Sequence, residues 1–100
     1  MMKNFRSYQL ALQLYHRCEG IHIRGPLRDQ LRRASASVVL NLAEGSAKPT
    51  AKDRRRFYAI SLGSLREVQA ILELSQQKSL FNLADHLGAC LYKLSRKPGS

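Results

Sequence analysis

Apolar residues recur along this chain every three or four positions in four separate stretches, and glycine or proline interrupts the rhythm between them. The first stretch sets Phe5, Tyr8, Ala11, Leu12, Tyr15 and Cys18 on one face, with Lys3, Arg6, Gln13 and Arg17 elsewhere. That is the period of an amphipathic helix, predicted over residues 4–19 and ended by Gly20. The second is predicted over 26–44. Pro26 suits its first turn, Leu27, Leu31, Ala34, Val38 and Leu42 form its stripe, and Gly45 is expected to supply a left-handed cap. After a turn at Ser46 to Pro49, Thr50 and Asp53 have the form of a capping box opening a third helix over 51–77, with Phe57, Tyr58, Leu62, Leu65, Val68, Ile71 and Leu72 on its apolar face. Leu80, Leu83, Ala84, Leu87, Leu91 and Leu94 predict a fourth helix over 80–95, and the RKPGS tail reads as frayed. Four helices with short connections imply an all-α chain, a single domain over 1–100 folded as an up-down-up-down four-helix bundle.

Composition adds two points. There is no Trp and only 7% of residues are aromatic, so Leu, Val, Ile and Ala must fill a small core, a situation in which self-association often adds stability. Ala59, Gly63 and Ala70 share another face of the third helix. Their small side chains are expected to serve close packing inside the bundle, with contact between subunits as the alternative.

Charge changes the picture more. Lys and Arg number 17 against 7 acids, a formal +10 on 100 residues, well beyond what solubility asks. Nine of the cations (Arg24, Arg28, Arg32, Arg33, Lys48, Lys52, Arg54, Arg55 and Arg56) fall between positions 24 and 56 with only Asp29, Glu44 and Asp53 to oppose them. An anionic partner follows as the working hypothesis, RNA or DNA and no membrane, since no stretch approaches the roughly 20 apolar residues of a membrane span. Lys52, Arg54, Arg55 and Arg56, at the start of the third helix, are the foremost candidates for phosphate contact. The helix dipole disfavours cations there, by a few tenths of a kcal/mol each. Absence of a signal-peptide core makes the cytoplasm the expected compartment.

Catalytic chemistry finds little support. His16, His22 and His86 lack metal spacing, Cys18 and Cys90 lack zinc or redox spacing and are expected to be buried thiols, and the acids do not gather as a two-metal site would require. No cofactor motif occurs, so the expectation is a non-enzyme without metal or cofactor. Asn41 and Glu44 sit on or beside the apolar stripe of the second helix. They are expected to form a structural polar network near the turn, with Arg33, Arg54 or Arg55 available to pair the glutamate.

The stretches LRRASASVVLNLAEG and RRFYAISLGSLREVQAIL carry a further signal. Arg32-Arg33-Ala34, then Asn41-Leu42-Ala43-Glu44-Gly45, then Arg56-Phe57 and Ser61-Leu62-Gly63-Ser64-Leu65 with Glu67 resemble the small four-helix-bundle proteins named for the intervening sequences of bacterial 23S ribosomal RNA genes. The resemblance is close over about two fifths of the chain, and helix four shares only its apolar rhythm. It implies a homo-oligomer, most simply a pentamer of bundles. A similar bundle is the accessory protein of diversity-generating retroelements, where it binds nucleic acid and a reverse transcriptase. That implies nucleic-acid binding here, or alternatively the docking of an enzyme such as a reverse transcriptase.

Overall fold

Periodicity becomes four antiparallel helices in the computed structural model, which describes residues 5–98. Residue 4, the side chain of Phe5 and the last two residues of the tail lie outside the described residues. Helix α1 spans Phe5–Gly20, α2 Pro26–Ser46, α3 Ala51–Leu74 and α4 Phe81–Ser95, with one 3₁₀ turn at Lys78–Leu80 leading into α4. There is no strand among the described residues, and the bundle measures 40 × 21 × 19 Å. The most extensive packing joins α2 to α3, then α3 to α4 and α1 to α2.

The core is aliphatic, as the composition requires. Val38, Leu42, Leu65, Val68, Leu72, Leu80, Leu87 and Leu91 are fully buried, and Leu31, Ala34 and Ile71 nearly so. On α1 the buried line is Ser7, Ala11, Leu14 and Cys18, while Tyr8, Leu12 and Tyr15 form its half-buried shoulder. The buried face of α1 is thus centred on Leu14, not on the tyrosines. Ser61 also occupies a core position of α3, where its hydroxyl donates to the Val38 carbonyl of α2 at 2.7 Å. A hydroxyl tolerates such burial because the bond replaces the one it made to water.

Four helix ends differ from the sequence reading, the first being that of α1, which includes Gly20, one residue past the expected 19. Helix α2 runs past Glu44 to Ser46, and Gly45 is helical, not left-handed; the only described glycine with positive φ is Gly25, at 67° just before α2. Gly45 instead permits close approach. A Cβ built there would lie 2.9 Å from Phe57 Cβ and 2.9 Å from Tyr58 Cε1 of α3. The stop comes from the following residues, where Ala47 and Lys48 donate to Glu44 and Gly45 carbonyls and Pro49 cannot continue a helix.

Helix α3 ends at Leu74, three residues short of the expected 77. Gln76 adopts φ 58°, and its N–H reaches the Glu73 carbonyl at 3.1 Å while Gln77 N–H reaches Leu72 at 2.9 Å. This is the Schellman closure, with glutamine where glycine usually stands. Helix α4 then starts at Phe81, one residue later than expected, because Leu80 belongs to the 3₁₀ turn and is buried beneath it. At the start of α3, Thr50 Oγ1 accepts from Asp53 N–H at 3.1 Å, so the serine/threonine half of the capping box forms.

Ala59, Gly63 and Ala70 are all exposed, and nothing lies within 4 Å of a Cβ built on Gly63. The strip therefore does not pack inside the bundle. Ile60, 43% exposed, lies beside it, and Leu40 on α2 is 66% exposed.

Candidate nucleic-acid interface

Folding divides the nine candidate cations between the two ends of the molecule. Helix α2 has 21 residues, so at 1.5 Å per residue Arg28 and Lys48 stand about 30 Å apart along it. Arg24, Arg28 and Arg32 are exposed around the α1–α2 connection, where Arg28 and Arg32 border a small cavity of about 60 Å³ with Cys18, Glu19 and Ile23. Burial pushes the Cys18 thiol up from its usual 9.0 to about 11, so it is a poor nucleophile. Arg33 is exposed about 100° around the helix from Arg32.

At the opposite end, the run Arg54-Arg55-Arg56 separates into three roles because successive helical residues point about 100° apart. Arg54 folds back over the turn and donates Nη1 to the carbonyls of Lys48 at 3.0 Å and Pro49 at 3.1 Å. It staples the turn, satisfying two carbonyls that lie beyond the last residue of α2. Arg56 points outward with its guanidinium 5.0 Å from the Phe57 ring centroid, and Lys48 Nζ lies 5.0 Å from the same ring. Phe57 is thus a half-buried platform between two cations, while Tyr58 goes into the core. Lys52 is fully on the surface.

Arg55 turns the third way, toward α4. Together with Arg54, Tyr58, Lys93 and Arg96 it lines a cleft of about 210 Å³ between the start of α3 and the end of α4. Lys93 and Arg96 are absent from the sequence-based set. The signal that could have found them is topological: in an up-down bundle the last helix ends where the third begins. Arg96 stacks on Tyr92 at 5.0 Å and donates to its hydroxyl.

Asn41 and Glu44 do not share a network. Asn41 Nδ2 donates to the Ser37 carbonyl at 2.9 Å and to Ser37 Oγ at 3.0 Å, and Ser37 Oγ meets Ser64 Oγ of α3 at 2.7 Å. These groups tie the α2–α3 seam. Glu44 is 54% exposed and pairs with Lys48 at 2.9 Å, not with Arg33, which lies about three turns away along α2, nor with Arg54 or Arg55, whose side chains go to the turn carbonyls and to α4. It is the only ion pair among the described residues. Lys48 is therefore partly neutralised, whereas Lys52, Arg54, Arg55, Arg56, Lys93 and Arg96 have no carboxylate within 4.0 Å among the described residues.

The charge balance of the two ends differs accordingly. Around the α2–α3 turn and the end of α4 stand Lys48, Lys52, Arg54, Arg55, Arg56, Lys93, Arg96 and Lys97 against Glu44 and Asp53. Around the opposite end Arg17, Arg24, Arg28, Arg32, Arg33 and Lys78 face Glu19, Asp29, Glu73 and Asp85. No group of three or more His, Cys, Asp or Glu among the described residues is placed to hold a metal ion, and none of the described helices is long and apolar enough to cross a membrane.

Comparison with curated proteins and with solved structures finds no match. The family model described as 23S rRNA-intervening sequence protein does match, over residues 4–96, nearly the whole bundle and not only the central hairpin. The chain belongs to the 23S rRNA-intervening sequence protein family.

Proposed function

We propose that this chain is a non-catalytic, self-associating bundle of the cytoplasm that binds nucleic acid, RNA foremost, through its α2–α3 turn end. The observation that carries this reading is the crowding there of cations without a carboxylate partner: among the described residues one ion pair serves that end, although cations at the start of α3 oppose the helix dipole. Phosphates would neutralise them. Salt dependence is the test. If five phosphates of a single strand are contacted, log K should fall with log salt at a slope of about −3.5. Anisotropy of labelled single- and double-stranded RNA and DNA between about 50 and 200 mM salt measures it. Failure of the protein to bind any of these at the lower salt would sink the reading.

Self-association is supported by the outward face of α3, and a pentamer is the form the family resemblance implies. Ala59, Gly63 and Ala70 lie open there beside Ile60, with nothing in the bundle to cover them. Light scattering checks it, and a strictly monomeric mass would exclude it. The second reading, an accessory subunit docking an enzyme such as a reverse transcriptase, is favoured by the exposed Leu40. It requires a shallow salt slope and a binding loss on Leu40→Ala or Ile60→Ala in place of loss on removing cations.

A further inference from the structure

We propose that the cleft between the start of α3 and the end of α4 seats one backbone phosphate of a bound single strand, held by Arg55 and Lys93 with Arg96 at the rim. This rests on the nucleic-acid reading and gives it a particular locus. The cleft is concave, about 210 Å³, several times the ~30 Å³ share of a water molecule, so it admits a solvated phosphate. Every charged residue that lines it is a cation, contributed by two helices far apart in sequence.

Those cations are not equally available. Arg54 is occupied by the Lys48 and Pro49 carbonyls and serves as a wall. Arg96 is steadied by Tyr92, which holds its planar group at the rim. Arg55 and Lys93 have no carboxylate within 4.0 Å among the described residues, so both are free to meet an anion. Their energetic positions differ. Lys93 and Arg96 sit at a helix C-terminus, where the dipole favours cations, whereas Arg55 sits near a helix N-terminus, where it does not. An anion between them completes the arrangement, because it is attracted by Arg55 and Lys93, while the positive end of α3 and the negative end of α4 offset each other there. The Phe57 platform, flanked by Lys48 and Arg56, lies on another side of α3 and offers a base-stacking surface separate from the cleft.

The experiment compares two variants of equal charge change, Arg55→Gln/Lys93→Gln in the cleft and Arg28→Gln/Arg32→Gln at the opposite end, with wild type. The probe is a labelled oligouridylate, titrated at two salt concentrations. None of the four residues is buried, and circular dichroism verifies that each variant is folded. The expected result is a loss of affinity of about tenfold or more for the cleft variant at low salt, its salt slope shallower by about 0.7 for the one phosphate lost, and little change for the other variant. Equal losses in the two variants would mean that only net charge matters and would overturn the cleft. Unchanged binding by the cleft variant, with wild type binding well, would overturn it while leaving the nucleic-acid reading standing. Wild type failing to bind would remove both. A free ion is separated from a strand by titrating inorganic phosphate and following the Ala51 and Lys52 amide resonances. Saturation by inorganic phosphate at concentrations where the oligonucleotide binds would assign the cleft to the ion and overturn the strand assignment.

Discussion

Gly45→Ala sets two magnitudes against each other. Alanine is better than glycine in a helix interior by about 1 kcal/mol, so propensity alone favours the substitution. Packing opposes it. The new methyl would lie 2.9 Å from Phe57 Cβ and from Tyr58 Cε1, against about 3.5 Å for an unstrained carbon contact, so α2 and α3 must part by about 0.6 Å. Phe57 Cβ is fixed to the α3 backbone and cannot swing aside, and Tyr58 is only 4% exposed. Overpacking of this kind costs about 1–3 kcal/mol. Gly45 also lies one residue from the end of α2, where the propensity gain is diminished. The expected net effect is destabilisation by about 1 kcal/mol, a fall in Tm of about 4–8 °C for a domain of this size. Gly63→Ala is the control within one bundle, because nothing of the same bundle stands within 4 Å of its Cβ and α3 continues on both sides; a loss of stability there would instead place a second copy against the strip. That variant should gain about 1 kcal/mol. Urea denaturation of both variants at one protein concentration, followed by far-UV circular dichroism, measures the difference. If Gly45→Ala proves as stable as Gly63→Ala, the close approach of the helices is not what requires the glycine.

Gln76→Gly should raise stability by about 1 kcal/mol, since glycine adopts φ 58° without the strain glutamine bears; an unchanged urea midpoint would count against the Schellman closure. Ser61→Ala should cost about 1 kcal/mol by removing the bond to Val38, and a stabilised variant would show that this hydroxyl contributes nothing to the α2–α3 seam. For Cys18 the folded state retains the proton: its contribution is whole below pH 9.0 and is lost as pH climbs toward about 11. The stability gap between wild type and Cys18→Ala should therefore narrow over that window, and a gap that widened would refute the burial of the thiol. In the folded protein Cys90, which is half-buried, should be alkylated well before Cys18.

Much of the bundle was legible because Leu31, Val38, Leu42, Leu65, Leu72, Leu87 and Leu91 obey the helical period and are buried in the positions it assigns. Gly45 was misread because a glycine before a proline-containing loop fits either a cap or a close contact, and only φ and the neighbouring helix decide. Gln76 carries no turn signal at all. Ser61 breaks the apolar pattern at a core position, which spacing arguments count as surface. The candidate interface was legible only where it is continuous in sequence: Lys52 to Arg56 could be seen, whereas Lys93 and Arg96 join Arg55 through topology. Arg54 was grouped with its neighbours as a ligand, yet its side chain is bound to the turn.

The 40 Å length of the bundle bears on how its basic ends communicate. In physiological salt a charge is felt over about 8 Å, a fraction of that span. A polyanion at the α2–α3 tip therefore experiences that tip alone, and Arg24, Arg28 and Arg32 are electrically invisible to it. Each tip titrates its own ions, and substitutions at opposite tips should have additive effects on binding energy unless a single strand, or a ring of copies, physically spans both. Departure from additivity would then be a ruler, reporting that one ligand reaches along the whole axis of the molecule.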